Sequence, residues 1–591
     1  MRTSIVILTY NKLDYTKECI GSIRKYTKPG TYELIVVDNN STDGTVKWLK
    51  QQKDIRTILN NENMGFPKGC NQGMAQAGGD NILLLNNDVI VTHEWLNNLA
   101  KALYSSADIG AVGAVTNNCS YGQAIAVNYK SLEEMHQFAR RHNISNPANW
   151  DERLKLVGFC LLIRREVVAK IGLLDEMFSP GNYEDDDYSV RMRRAGYKLV
   201  LCRDTFIHHF GSASFGDRWD EYLKLLEINR QKFAGKWGYD PNYSMIVRQE
   251  IINLIDAPTN ARVRVLEVGC ACGGTLLQIK NQYRGASVYG IELNAGAAAD
   301  ASLFAETIAA DIEAVELPYP QRFFHCIILA DVLEHLQNPW AALRRLYQHL
   351  APGGQILASI PNVMHFSVIR NLLNGHWTYE NAGILDNTHM RFFTLNEIHK
   401  LFAGAGFTDF EYGAVQLNCS DADKQFVEAV ATLTGGMAKD QYLAYQYLVK
   451  ADKGFTADDL AGVLADIAQE INIGENVKYL NHYPLEQVLA RIKTSVPAAA
   501  AMLNLIAITN FSAKAYEYVI PYLQLALEMK PADADTLYNL GFVLFAMGEY
   551  DLALSYISKI ATKNEKDLQL LAKIDKAILD GKLDPADYRR A

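Results

Sequence analysis

Ser4-Ile5-Val6-Ile7-Leu8-Thr9-Tyr10-Asn11 is the stretch from which the fold can be read: four apolar residues in a row, then an abrupt polar turn. A run this short and this apolar has the length of a buried strand. Similar runs follow at residues 33–37, 81–85 and 111–115, with helical stretches between them. This alternation predicts an α/β layered domain over residues 1–245. It restarts over 250–415, with strand-like runs at 263–268, 287–291, 326–329 and 355–359. Beyond about residue 420 strand signals fade, and an Ala-, Leu- and Tyr-rich helical periodicity runs to residue 591. The expected architecture is therefore multidomain α/β with an all-α region, 420–591, at the end.

A chain of 591 residues exceeds one hydrophobic core, and its length suggests about three or four domains. With 49% apolar and 21% charged residues the composition is ordinary for globular proteins. A net charge of −9 argues against general affinity for nucleic acid or anionic membranes, while leaving room for a local basic patch. Met1-Arg2-Thr3-Ser4 runs straight into the first apolar run, so no secretory leader is expected. The longest membrane-span candidate, 496–508, contains Asn504 and is too short. Nine scattered cysteines without a paired Cys-x-x-Cys spacing read as reduced thiols. The expected location is cytoplasmic, or peripheral on the inner face of a membrane.

The first chemistry lies at strand ends. Thr9-Tyr10-Asn11 leaves one strand, and Asp38-Asn39-Asn40-Ser41-Thr42-Asp43-Gly44-Thr45 leaves the next. In open α/β sheets ligands bind outside the carboxyl ends of strands, so two such loops serve one ligand. Asp38 can accept the imide N–H of a pyrimidine base, although either loop alone is equally an Asx-capped turn. In Asn63-Met64-Gly65-Phe66-Pro67-Lys68-Gly69-Cys70-Asn71 the glycines permit close backbone approach, and Lys68 can meet a phosphate. The run 82–85 ends in Asn86-Asn87-Asp88, where a carboxylate is placed to hold Mg2+ or Mn2+.

Together these motifs, in this order, resemble family 2 glycosyltransferases of the GT-A fold over residues 1 to about 237. Asn86-Asn87-Asp88 corresponds to the family's Asp-x-Asp, with Asn86 in place of the first Asp. The resemblance implies a UDP-, GDP- or dTDP-linked sugar donor held by Thr9, Tyr10, Asn11, Asp38, Asn40, Gly65, Phe66, Asn71, Asn87 and Asp88. It also implies an Mg2+ or Mn2+ ion at Asp88.

On the acceptor side, Tyr183-Glu184-Asp185-Asp186-Asp187-Tyr188 leads to Arg191. Four consecutive carboxylates in a cleft repel one another, which raises at least one pKa toward the range a general base needs. The family pattern puts that base at Asp185, with Asp187 and Arg191 organising the site or the diphosphate. The competing reading is an acidic helix N-terminus favoured by the macrodipole. His208-His209-Phe210-Gly211-Ser212-Ala213-Ser214 resembles the family's closing His-x-x-x-x-Ser segment, which puts the second metal ligand at His209, or failing that at His208. An inverting transfer follows: the acceptor hydroxyl attacks the anomeric carbon, Asp185 takes its proton, and the metal stabilises the departing diphosphate.

A second chemistry begins at Val265-Leu266-Glu267-Val268-Gly269-Cys270-Ala271-Cys272-Gly273-Gly274, a strand, a small-residue turn and a helix start. The next strand ends in Glu292, placed to meet ribose hydroxyls. Asp311 stands where an adenine contact is expected, followed by Asp331-Val332-Leu333-Glu334-His335-Leu336 and Pro352-Gly353-Gly354. This order resembles class I S-adenosylmethionine-dependent methyltransferases, with Ala271 in place of a family glycine. The resemblance implies S-adenosylmethionine at Glu267, Gly269, Ala271, Gly273, Glu292, Asp311 and Asp331. His389, in Asp386-Asn387-Thr388-His389-Met390-Arg391, is the candidate base for an acceptor hydroxyl; positioning alone can also suffice.

In the last region Asn539-Leu540-Gly541, Leu544, Ala553 and Ile557, with Leu523, Ala526 and Pro531 one period earlier, fit tetratricopeptide offsets; an irregular helical bundle is the alternative. The whole reads as a bifunctional enzyme acting on a glycan or on a protein acceptor such as a flagellin or surface-layer subunit. A scaffold with degenerate catalytic domains is the rival reading.

Overall fold

The structure, a computed structural model, describes residues 1–211, 219–436, 438–495 and 499–582. It forms two compact units, Met1–Leu350 with Gln355–Asp452, and Ala351–Gly354 with Lys453–Ala591.

The first unit contains two large sheets. The first is built from β1 (Thr3–Thr9), β2 (Tyr32–Asp38), β3 (Ile55–Leu59), β4 (Asn81–Asn86), β6 (Ile109–Val115), β7 (Trp150–Arg153), β8 (Cys160–Arg164) and β9 (Lys198–Phe206), in the order β3-β2-β1-β4-β8-β6-β9-β7. β1 pairs in parallel with both β2 and β4, whereas β8 runs antiparallel between β4 and β6. Alternate residues of β1 enter different cores: Ile5 and Ile7 pack on one face and Val6 on the other. This explains the unbroken apolar run, since each buried Ile or Val contributes roughly 1.5–3 kcal/mol. Beyond β4 a small ribbon pairs β5 (Val89–Ile90) with β10 (His208–His209), opposing Val89 to His209. That ribbon carries the late His-His segment back to the end of β4.

The second sheet comprises β11 (Arg264–Val268), β12 (Ser287–Glu292), β13 (Glu306–Ala309), β14 (Phe324–Ala330), β15 (Leu350–Pro361), β16 (Asp409–Gln416) and β17 (Ala444–Asp452). Its order is β13-β12-β11-β14-β15-β17-β16, parallel from β13 to β15 and antiparallel through β17. Here the structure departs from the expected boundary near 415–420. β17 lies between β15 and β16, so this domain takes in residues through 452. Its sequence, Ala444-Tyr445-Gln446-Tyr447-Leu448-Val449, is flanked by the helices Asp421–Leu433 and Ala457–Ala468. Their helical periodicity masks one strand.

The two sheets' domains are not separated at residues 245–250 either. Leu154, Phe178, Tyr183 and Val190 share a core with Phe233, Tyr239, Met245, Cys272, Leu277 and Ala297. Buried Asp300 accepts from Arg194 Nε at 2.6 Å and from the Tyr239 hydroxyl, and its carbonyl accepts from Arg193 at 2.8 Å.

From Ala457 onward the described elements of the second unit are helices, and Gly541 packs so tightly on Ile557 that an added Cβ would lie 2.4 Å from its side chain. Leu523, Ala526, Leu540, Ala553 and Ile557 are all buried. Among the described residues, no helix is long and apolar enough to cross a membrane.

Candidate active sites

The first two strand-end loops are laced together. Asn11 N donates to Ser41 Oγ at 2.7 Å, Thr42 N to Asn11 Oδ1 at 2.8 Å, and Leu13 N to Asp43 Oδ2 at 2.8 Å. Asn11 and Asn40 adopt positive φ, 57° and 68°, a conformation Asn tolerates better than most residues. The two carboxylate oxygens of Asp38 differ in their surroundings. Its Oδ1 accepts the Ser41 amide at 2.9 Å in an Asx turn, and its Oδ2 is buried with no hydrogen-bond partner among the described residues. Tyr10 is exposed at the rim.

Other expected donor contacts serve the frame. Asn87 Nδ2 donates to Thr9 Oγ1 at 3.3 Å and Thr16 Oγ1 at 3.1 Å, locking the β1 and β4 ends together. Asn71 clasps Leu174, accepting its amide at 3.0 Å and donating to its carbonyl at 2.9 Å. Phe66 N donates to Pro180 O at 2.7 Å, and a Cβ on Gly65 would lie 2.7 Å from Pro180 Cα. Gly65 and Phe66 thus dock the donor-side loop on the segment that leads into the carboxylate run. Gly69 and Gly73 pack against Leu8 and Val6 of β1, so the close approach they permit is helix to strand, and Lys68 is exposed. Arg191 does not reach outward to a diphosphate: its guanidinium binds Asp187 at 2.8 Å and the carbonyls of Ile171 and Leu173 at 3.0 and 2.8 Å.

Asp88 and His209 meet. His209 Nε2 lies 3.3 Å from Asp88 Oδ1, while His209 Nδ1 lies 2.8 Å from the Asn118 carbonyl and the ring stacks on Phe159. A carbonyl only accepts, so Nδ1–H donates to Asn118, and Nε2–H in turn donates to the Asp88 carboxylate. Burial lowers the imidazole pKa, but the hydrogen bond and charge of Asp88 outweigh it and leave His209 raised. An oxygen and a nitrogen donor held together in this way fit a divalent ion, which would replace the proton between them. His208 points elsewhere, to the Tyr129 hydroxyl at 2.6 Å. Ser212, Ala213 and Ser214 of the closing motif lie outside the described residues.

The four carboxylates begin the helix Glu184–Arg194, so the N-terminal reading holds, yet each has its own environment. Asp186 is ion-paired with buried Lys155. Asp187, fully buried, takes Arg191, Lys236 at 2.6 Å and Trp237 Nε1 at 3.0 Å. Glu184 is buried, which pushes its carboxyl well above the usual range, with Asp185 adding to the rise. Asp185 is half-buried and accepts the Gly158 amide at 2.9 Å. Burial, then the neighbouring Asp186 carboxylate, push Asp185 up to about 6, against the Gly158 amide and Lys155. The Lys155 side opens on a cleft of ≈ 440 Å³, lined by Tyr121, Arg153, Arg203, Met245 and Leu277 among others.

In the second domain the small-residue turn is pinned by Glu292. Its Oε2 accepts the Ala271 amide at 2.8 Å and its Oε1 the Asn294 amide at 2.7 Å. Gly269, Ala271 and Gly273 all have positive φ, 70°, 47° and 81°, so Ala271 occupies a glycine-type conformation. Glu267 is buried in the strand below, its Oε2 unpartnered among the described residues, and burial pushes its carboxyl to about 8. Asp311 is exposed and accepts the Glu313 amide at 2.8 Å. Asp331 binds Arg248, Gln446 and Ser359 Oγ, the last at 2.8 Å. A glycine-type turn at a strand end, a carboxylate that holds it and an orphaned buried acid fit a nucleoside cofactor in this position. His389 stands beside His335, ring centroids 4.7 Å apart.

Sequence reasoning missed Arg248, Lys155 and Gln446. Each acts through a partner 31 to 115 positions away, and no local motif announces such a pairing.

Comparison with known proteins agrees with two chemistries. Residues 4–172 match the family described as Glycosyl transferase family 2, and residues 225–412 match a family described as Methyltransferase domain. The chain thus carries a glycosyltransferase family 2 domain and a methyltransferase domain. It is 25% identical over 214 residues to the glycosyltransferase AglE of Haloferax volcanii, a match covering 35% of this chain and 66% of that protein. A mannosyltransferase from Pyrobaculum calidifontis, solved with GDP-mannose and Mn2+, is 19% identical with a TM-score of 0.31, covering 41% of this chain and 66% of that one. An S-adenosylmethionine-dependent methyltransferase from Thermotoga maritima, described as a possible histamine N-methyltransferase, is 15% identical with a TM-score of 0.26, covering 40% of this chain and 97% of that one. The chain spans 25%, 66% and 18% of the length of the first three curated relatives it matches.

Proposed function

We propose that the chain is a bifunctional transferase. Its first site moves a sugar from a nucleoside diphosphate to an acceptor hydroxyl with inversion, and its second methylates a glycan or related acceptor from S-adenosylmethionine. The observation that carries the first half is the joint presence of the Asp88–His209 pair and the tuned Asp185 in one domain. Mg2+ or Mn2+, held by Asp88 and His209, would supply positive charge to the departing diphosphate. Asp38 receives the base of a UDP, GDP or dTDP donor at its free oxygen, and Tyr10 offers its ring at the rim. Thr9, Asn11, Asn40 and Asn87 hold those groups in place. Asp185 takes the acceptor proton, since a base whose pKa lies near 6 is ionised at neutral pH and still basic enough to accept. The acceptor, a glycan or a protein such as a flagellin or surface-layer subunit, enters from the Lys155 cleft.

In the second domain Glu292 meets the ribose, Gly269, Ala271 and Gly273 let the cofactor approach the backbone, and Asp311 stands on the adenine side. Arg248 and Asp331 close the pocket's far end, while His335 and His389 face the acceptor. The helical unit, with Gly541 and Ala553 at tetratricopeptide spacing, supplies a surface for an extended protein partner.

The test is release of nucleoside diphosphate from UDP-, GDP- and dTDP-sugars with Mn2+, by the full chain and by Asp185→Asn. Loss of turnover with donor binding retained supports the reading. Normal turnover in the variant removes Asp185 as base.

A further inference from the structure

Glu334 and His335 lie on one short turn, Leu333–His335, just after β14, and the loop carrying His389 is fastened over it. The amides of Met390 and Arg391 both donate to the Glu334 carbonyl, at 2.8 and 3.0 Å. One ligating atom from each of Glu334, His335 and His389 lies within 4.8 Å of the other two.

What touches the rings sets their protonation. His389 Nδ1 is 3.0 Å from the Ile384 carbonyl, and His335 Nδ1 is 3.3 Å from both the carbonyl and the hydroxyl of Thr388. That hydroxyl donates to Asp386 at 2.6 Å, so toward His335 it can only accept. Each Nδ1 therefore carries the proton, and each Nε2 keeps its lone pair. Backbone carbonyls holding Nδ1–H in this way are the arrangement that orients metal-bound imidazoles. Glu334 is 1% exposed, and neither carboxylate oxygen has a hydrogen-bond partner among the described residues. A buried carboxylate left bare is costly unless a cation or proton meets it. Neighbouring Asp331 is already committed to Arg248, Gln446 and Ser359.

We propose that Glu334, His335 and His389 form a divalent metal centre in the methyltransferase domain, separate from Asp88 and His209. Two imidazoles and one carboxylate select a first-row transition ion such as Mn2+, Co2+ or Zn2+ over Ca2+ or Mg2+, which favour oxygen ligands throughout. Three protein ligands leave positions open to oxygens of an acceptor, and two adjacent sugar hydroxyls fit them. The acceptor step rests on the methyltransferase reading; the metal binding does not. His389 then serves as a ligand, and its lone pair is not available to take a proton.

The test is Co2+ titration of the full chain by calorimetry and visible absorption. In Asp88→Ala/His209→Ala one equivalent binds at this centre, and adding His335→Ala/His389→Ala removes it. Failure of the first variant to bind Co2+, or unchanged binding after the second pair of changes, overturns the proposal. Glu334→Gln, which preserves size, gives an independent arm. Loss of a ligand's outer partner alone costs about 10–100-fold in affinity, so loss of this ligand costs at least that; unchanged affinity overturns the assignment. S-adenosylmethionine binding in the same variants reports on folding. Its absence from the wild type sinks the methyltransferase reading and leaves the Co2+ result standing.

Discussion

The two sites of the first unit occupy equivalent places, at the carboxyl ends of parallel strands, yet they are assembled in opposite ways. In the methyltransferase domain the candidate cofactor side comes from consecutive loops: the turn after β11 is held by the residue that ends β12. In the glycosyltransferase domain the groups of the candidate site arrive from far along the chain. Asp88 meets His209, and Asp185 is positioned by Gly158. The first kind of site needs only local order. The second needs the antiparallel strand β8 and the β5–β10 ribbon to bring its parts together. Its acidic groups also differ in their partners, with Asp186 and Asp187 tied to cations and Asp185 held by the Gly158 amide.

This contrast can be broken at its strongest point first. Asp185→Asn should lower sugar transfer by about 10²–10⁴-fold, the span of general base catalysis, with S-adenosylmethionine binding unchanged. Activity needs the ionised carboxylate, so wild-type kcat/KM should rise with pH through about 6 and level off above it. A profile with no acid limb near that pH would separate the base from Asp185. Glu292→Ala is the mirror experiment. Removing a charge-assisted bond costs roughly 1.5–3 kcal/mol, or about 10–100-fold in S-adenosylmethionine affinity measured by calorimetry, with sugar-nucleotide binding untouched. Asp300→Ala sharpens the comparison from the side, because it strips Arg194 and buried Tyr239 of their partner. A loss of about 1–3 kcal/mol in thermal or denaturant unfolding is expected, reduced by the partial exposure of Arg194. The smallest effect runs the other way. Ala271 sits at φ 47°, so Ala271→Gly should stabilise the domain by about 1 kcal/mol, seen as a higher Tm.

The same contrast explains how much was legible in the sequence. Loops whose residues act on their neighbours leave a local trace, as in the glycine-type turn at Gly269 and Gly273 and the Asx turn at Asp38. The short apolar run read as a buried strand is β1, buried on both faces. Residues that act at a distance could not be read. Asn71 and Arg191 have the polarity of ligand contacts, but tertiary partners claim them for the frame. β17 was hidden by its helical flanks, and the partnership of Glu334 with His389 depends on a loop fold that leaves no periodic trace.

The core shared by Leu154, Phe178, Tyr183 and Val190 with Phe233, Met245, Cys272 and Leu277 carries a further consequence. A chain severed near residue 246 would leave two fragments, each with a raw greasy flank that water would drive to clump. The linkage between these catalysts is thus more than a leash: each supplies part of the other's interior. Evolution could retune either pocket by point changes, but could not exchange one half for a foreign module without rebuilding the seam.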